Sequence, residues 1–374
     1  MRELDEDTDL PPAPRKNPDL VGHEWAERQF LDAWASGRLP HSWMITGPKG
    51  IGKATLAFRI ARFVLAGGGQ AGGGLFDSFE SAAPKSLHVA PEHAVFRRTA
   101  AGGHADLMTL ERTVDPKTDR MRKVIVIEDV RATNRFLNLT PAEGGWRVLV
   151  VDCADELNIS SANALLKLLE EPPPRALLLL VSHAPGRLLA TVRSRCCRIA
   201  LKPLDEQQVL GLMARYAPEI ADGDDGDAQA LARLAEGSIG RALALADEGG
   251  LELYREMVSL LAALPALEGA GLHDFADRLA RRGAEDAFRT ATDLVRWWLA
   301  HMIRDGARGG NWGPGVVPEE EGCAGRLFAA AGVDRWMEVW DKVSRLTDQV
   351  EGLNLDRKQV VINLFTTMAG AVRA

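Results

Sequence analysis

The sequence has few cysteines, no long apolar run and no excess of positive charge. Only four of its 374 residues are cysteine: Cys153, Cys196, Cys197 and Cys323. Two are adjacent, one sits in an apolar run, and no pair has C-x-x-C spacing, which argues against a disulfide framework and against a zinc knuckle. No apolar stretch approaches the roughly 18–20 residues that a membrane span needs. The opening MRELDEDTDLPPAP has neither the basic start nor the apolar stretch of a signal peptide, so a cytoplasmic location is expected. Lys and Arg number 45 against 52 Asp and Glu, a net charge of −7. That balance excludes a protein that coats nucleic acid through bulk positive charge, while leaving room for a local basic patch. Internal repeats are also lacking.

What is there reads as two or three domains, at roughly 100–200 residues each. Residues 1–19 begin with acidic residues and pass into prolines, too polar to offset their ordering entropy, and are expected to form a flexible tail. Trp25, Phe30, Leu31 and Trp34 recur at helical spacing. Residues 43–46 read as a short buried strand, followed by a helix over 54–66. GGGQAGGG at 67–74 reads as a linker. Residues 105–111 and 123–127 are strand candidates, and 128–139 reads as a helix. WRVLVVDC at 146–153 is a continuous apolar run, as in a strand buried on both faces. A helix over 160–171 and a strand over 176–181 follow, and such alternation predicts a parallel α/β sheet. After Pro203 the pattern is helical throughout. Short helices are expected over 205–248. Residues 251–374 carry apolar stripes such as Leu294, Val295, Trp297, Trp298 and Met302, and their tryptophans are expected to be packing residues.

The segment Gly47-Pro48-Lys49-Gly50-Ile51-Gly52-Lys53-Ala54 fits G-x-x-x-x-G-K-[ST] except at its last position. It follows a strand and opens a helix, the context in which glycine-rich backbone N–H groups cradle phosphates and a lysine reaches the outer ones. The hydroxyl that should hold Mg²⁺ is replaced by the methyl of Ala54, which cannot ligate a hard cation. Thr55 comes one residue late. Asp152 ends the strand 148–151 where a Walker B aspartate belongs. The following position, which normally carries the glutamate that polarises water, is Cys153. Asp155 and Glu156 come further on and are expected to start or cap the next helix. Two losses in one site predict inefficient ATP hydrolysis.

These residues resemble a known family. Arg38-Leu39-Pro40-His41-Ser42, then VVDCADELNISSANALLKLLEEPP, then TVRSRC at 191–196 are similar to the delta-prime subunits of bacterial DNA polymerase III clamp loaders, a family of AAA+ fold related to replication factor C. The resemblance implies an α/β AAA+ P-loop domain with a parallel sheet over 20–203, a small helical lid over 204–250, and an all-helical collar for oligomerisation over 251–374. It also implies a degenerate nucleotide site made of Gly47, Gly50, Gly52, Lys53 and Asp152, with Ser182 at the sensor 1 position. Arg241, in Gly237-Ser238-Ile239-Gly240-Arg241, falls at the sensor 2 position, although it could equally cap a helix. No cofactor is required, with room for residual ATP or ADP binding. Metal sites are not expected, because the cysteine-rich zinc module of well-known relatives is missing after residue 67.

Arg195, between Arg193 and Arg198, would by itself read as part of a solvated basic turn. In the family an arginine at this place projects into a neighbouring subunit's ATP site, where its planar fork stabilises the transferring phosphoryl group. The function implied is that of a non-catalytic ring subunit of the DNA polymerase III holoenzyme, a DNA-directed DNA polymerase. It supports ATP-driven loading of the sliding clamp onto primed DNA. The partners implied are tau/gamma ATPase subunits, delta, the clamp and primer-template DNA. The alternatives are a self-sufficient AAA+ ATPase acting on DNA, disfavoured by Ala54 and Cys153, and a plain DNA-binding module, disfavoured by the acidic total. Arg97 and Arg98 are phosphate contacts or ordinary surface charges.

Overall fold

The computed structural model describes residues 11–68, 84–115, 117–143, 145–221, 225–267, 269–310, 312, 315–320, 322–353 and 355–373. Most of the 67–74 linker, and residues 1–10 of the expected tail, lie outside them. The chain divides into two compact units, 1–208 and 209–374.

The first unit opens with α1 (Glu24–Ala35), β1 (Ser42–Thr46), α2 (Lys53–Leu65), α3 (Ala94–Ala100) and β2 (Leu107–Leu110). It continues through β3 (Val114–Asp115), β4 (Arg120–Met121), α4 (Ile127–Asn138), β5 (Arg147–Val151), α5 (Ile159–Glu170), β6 (Ala176–Ser182), α6 (Ala190–Arg193) and β7 (Cys197–Ala200). Five strands form one sheet in the order β2-β5-β6-β1-β7, every neighbouring pair parallel. The apolar runs of β1, β5 and β6 are buried along their whole length. Alternate residues serve opposite faces, as the two-residue strand period requires. Ile45, Val148, Val150, Leu177 and Leu179 pack with Phe30, Leu56 and Ile60 on the side of α1 and α2. Met44, Leu149, Val151, Leu178 and Leu180 pack with Val130, Leu137, Leu165 and Leu169 on the side of α4 and α5. This is the expected α/β architecture, with helices on both faces of a parallel sheet.

Three local expectations are corrected. The strand candidate at 123–127 contributes only an isolated bridge between Ile125 and Leu157, because Ile125 alone is fully buried there while Val124 stays exposed. The short edge strand β7 and the hairpin β3–β4 were not anticipated, since two to four polar-rich residues carry no periodicity. Residues 11–19, read as tail, lie along α2: buried Arg62 donates to the carbonyls of Arg15 (2.9 Å) and Asn17 (2.6 Å), and Arg59 to that of Pro18.

The second unit begins within α7 (Glu206–Tyr216) and continues through α8 (Pro218–Ala221), α9 (Asp225–Leu234), α10 (Ile239–Asp247), α11 (Gly250–Ala262), α12 (Gly269–Ala280), α13 (Glu285–Ala307), α14 (Cys323–Leu353) and α15 (Arg357–Arg373). The α14 run is interrupted at Gly332, whose φ of 68° and ψ of 171° are non-helical. Leu294, Val295, Trp298 and Met302 of the stripe seen in the sequence are buried inside this unit, together with Leu299, whereas Trp297 is only half-buried. Trp298 and Trp336 are buried with their indole N–H groups donating to Glu320 Oε1 (2.8 Å) and the Leu327 carbonyl (3.0 Å). Trp340 and Met337 remain on the surface. No helix among the described residues is long and apolar enough to cross a membrane.

Candidate functional site

The phosphate-type loop leaves the C-terminal end of β1 and turns into α2. Gly47 sits at φ 146° and Gly52, the N-cap of α2, at φ 99°, conformations that side chains resist. A Cβ on Gly47 would lie 2.6 Å from the Leu201 carbonyl oxygen. Gly50 is also at positive φ. The cradle is braced from outside by His23, whose Nε2 lies 2.7 Å from the Ile51 carbonyl oxygen; the ring is fully buried, and burial lowers its pKa.

Lys53 is 3% exposed and donates its Nζ to the Pro48 carbonyl. Burial pushes its pKa down to about 8, against the opposing pull of Cys153, Asp155 and Asp152. Ser182 ends β6 in register with Thr46 at the end of β1, and Asp152 follows β5, its amide donating to the Leu110 carbonyl (2.9 Å). Sheet topology thus gathers Gly47, Gly50, Gly52, Lys53, Asp152 and Ser182 at one edge.

Cys153 occupies the position of the missing glutamate in a left-handed conformation, φ 58°. Its Sγ lies 3.3 Å from His183 Nε2. Burial and the carboxylates of Asp152, Glu156 and Asp155 push the thiol up to about 12, so it is neither a base nor a ready nucleophile at neutral pH. His183 was missed in the sequence; a polar residue directly after a buried strand was the available signal. Burial, then the Lys53 charge, lowers its pKa and keeps the ring neutral.

The neighbouring acids do other work than expected. Asp155 accepts from the His183 amide (2.8 Å), and Glu156 pairs with Arg112 (2.9 Å). The N-cap of α5 is Asn158, which accepts from the Ser161 amide at 2.8 Å. A carboxylate two or three residues early cannot reach the first-turn amides that an N-cap satisfies. With a methyl at 54 and a neutral thiol at 153, the donor set does not fit a catalytic Mg²⁺–nucleotide, and no hydrolytic step can be derived through one here.

Two other residues were singled out in the sequence. Arg241 belongs to the second unit, in the first turn of α10, where the Ser238 hydroxyl caps its amide (3.1 Å) and its guanidinium reaches Glu236 (3.4 Å). Glu236 is held in turn by His301 (3.0 Å), whose ring lies 3.9 Å from that of Trp297. Arg195 is exposed in the turn between α6 and β7. That turn is at the N-terminal edge of the sheet, since the hydroxyl of Ser42, the first residue of β1, donates to the Arg195 carbonyl (2.6 Å). Arg98 pairs with Glu143 (3.1 Å) and Arg97 is exposed.

Residues 22–205 match the family model described as DNA polymerase III, delta subunit. The chain is 31% identical to DNA polymerase III subunit delta' of Pseudomonas aeruginosa over 197 residues, covering 53% of this chain and 54% of that protein. It is 32% identical to subunit delta' of Escherichia coli over 227 residues, 60% of each chain. It is also 29% identical to Escherichia coli DNA polymerase III subunit tau over 238 residues, 63% of this chain and 33% of that one. The chain therefore spans about half the length of the relatives it matches. A solved gamma subunit-related protein from Thermotoga maritima is 17% identical, covering 92% of this chain and 100% of that one, with a TM-score of 0.43.

Proposed function

We propose that this chain, whose residues 22–205 match the family model described as DNA polymerase III, delta subunit, is a delta-prime-like, non-hydrolysing subunit of a clamp-loader ring. In this reading it supports ATP-driven loading of a sliding clamp onto primed DNA in the cytoplasm, and assembles with tau/gamma-type ATPase subunits and delta. The lid is assigned to 204–250 and the collar to 251–374. The P-loop edge, with Lys53, Asp152 and Ser182 as vestigial nucleotide contacts, retains at most residual ATP or ADP binding and requires no cofactor; Arg241, in the second unit, is assigned the sensor 2 position from the sequence resemblance alone.

One observation carries the reading. The sheet edge that should hydrolyse ATP carries Ala54 and Cys153, while Arg195 stands at the opposite edge. The four residue steps from Ser42 to Thr46 separate the two edges by about 13 Å of strand. Arg195 is therefore remote from this chain's own P-loop and free to serve a neighbour's. There its guanidinium would stabilise the charge that develops on the transferring phosphoryl group, an effect worth about 10³–10⁵ in rate for arginine fingers.

The test has two arms. The purified chain should release no phosphate above background, with or without primed DNA; turnover of about 1 s⁻¹ or more, ordinary for an enzyme, would instead favour a self-sufficient ATPase. In the assembled ring, Arg195→Ala should still assemble but lower DNA- and clamp-stimulated hydrolysis, partially, because other sites keep their own arginines. Arg195→Lys should be nearly as damaging, since a point charge cannot reproduce the planar fork. A rate abolished by Lys53→Ala and indifferent to Arg195→Ala would reverse the assignment.

A further inference from the structure

Three segments that are far apart in the sequence meet around Arg195. The first is the stretch that ends in His41 and Ser42, the second the C-terminal end of α5, and the third the Ser194-Arg195-Cys196 turn. His41 Nε2 lies 2.9 Å from the Leu169 carbonyl oxygen, tying the loop before β1 to the last turn of α5. Ser42, itself fully buried, pins the Arg195 carbonyl. Glu170, the last residue of α5, then meets the guanidinium: its Oε1 lies 2.7 Å from Arg195 Nη2. Nη1 donates to the Thr191 carbonyl at 2.9 Å, with a longer contact of 3.4 Å to the Ser194 hydroxyl. None of these partners belongs to the nucleotide edge.

We propose that Glu170 is a positioning residue for Arg195, holding the guanidinium in a preset direction on the subunit's own surface so that it meets a neighbour's nucleotide already oriented. The inference rests on the reading of Arg195 as a finger that acts in trans. An arginine on an exposed turn has several freely rotating bonds, and ordering them at the moment of contact weakens any interaction made there. Here the backbone is fixed by Ser42 and the head group by Glu170 and Thr191, so that ordering is done before a partner arrives. The guanidinium has five N–H groups in a fixed fork. The three contacts occupy no more than three of them, leaving donors for a phosphate while the carboxylate keeps its hold. The pair is half-exposed, at 35% and 49%, in the separate chain. It is accordingly weak in water and screened by salt, and strengthens when a subunit interface excludes solvent.

The experiment uses the complete ring and compares wild type with Arg195→Ala, Glu170→Ala, Glu170→Gln and the double variant Glu170→Ala/Arg195→Ala in this chain. The quantity read is the Arg195-dependent part of clamp- and DNA-stimulated ATP hydrolysis, that is, the wild-type rate less the Arg195→Ala rate. Glu170→Ala should lower that part by about two- to five-fold, the factor an exposed ion pair of this kind is worth, in kcat with KM for ATP unchanged. Glu170→Gln, which keeps an acceptor oxygen, should fall between wild type and Glu170→Ala. In the Arg195→Ala background Glu170→Ala should have no further effect, and the thermal midpoint of the isolated chain should not move. If Arg195→Ala slows the ring but Glu170→Ala leaves it at the wild-type rate, the positioning role is wrong and the finger stands. A further fall in the double variant would mean that Glu170 acts by another route, which also overturns the proposal. If Arg195→Ala changes nothing, the reading beneath it has failed instead.

Discussion

Lys53 and Cys153 are the residues in which the altered chemistry of the nucleotide edge is most measurable. An ammonium with a pKa near 8 in the folded chain, against an ordinary 10.5, is disfavoured by folding while it stays charged. The unfolded chain therefore binds more protons between these values, and stability rises with pH across that window. Compared with Lys53→Met, the wild-type protein should gain stability between about pH 8 and 10.5, read from urea midpoints at several pH values. A flat difference would mean that the ammonium is solvated after all. Cys153, pushed up to about 12 from 9.0, should resist alkylation for the same reason, since burial disfavours its charged form. At pH 9 its thiolate fraction is lower by roughly 10³ than that of an exposed thiol, and the thiolate is the reacting form. Peptide-resolved labelling with iodoacetamide should find Cys153 protected in the folded chain and modified quickly once it is denatured.

At the scale of elements, β6 and α5 can be tested one residue at a time. Leu179 is fully buried between helices on one side and sheet neighbours on both edges. Leu179→Ala should therefore cost about 2–5 kcal/mol, the range for leucine truncation in a packed core, seen as a lowered urea midpoint with an unchanged slope. Asn158 caps α5 next to the nucleotide edge, and Asn158→Ala should cost about 1 kcal/mol. Because α5 runs from that cap to Glu170, fraying should begin at the nucleotide edge and leave the Arg195 platform intact. Amide exchange should accordingly speed up at 161–163 and not at 168–170.

For the molecule as a whole, the helical unit places its apolar stripe in its own core, so the proposed assembly would have to use what remains outside. Met337 is 56% exposed on α14. If 251–374 supplies the collar contacts, Met337→Glu should weaken association with the ATPase subunits in gel filtration. Its own thermal midpoint should barely change, since surface substitutions usually stay within about 0.5 kcal/mol. Unaltered assembly would direct attention to other faces of the unit.

The sequence by itself determined the parallel α/β unit, the helical remainder and the glycine turn that opens α2. Apolar runs at 43–46, 146–153 and 176–181 can be satisfied only between two layers of helices, and the glycine spacing before Lys53 dictates its turn. The departures from the motif at Ala54 and Cys153 were legible for the same reason: each is read from the atoms that a single position carries. Only the tertiary structure decided which residues share a surroundings. Asp155 and Glu156 look like helix caps until β6 and Arg112 arrive to take their carboxylates, and His183 becomes a neighbour of Cys153 only when β5 and β6 pair. The short strand β7 has too little pattern to be seen alone and is held by its pairing with β1. Above all, parallel strands send every P-loop residue to one edge and the turn before β7 to the other. The separation of Arg195 from this chain's own nucleotide edge, and its meeting with Ser42 and Glu170, follow from strand direction, a property that no local stretch of sequence contains.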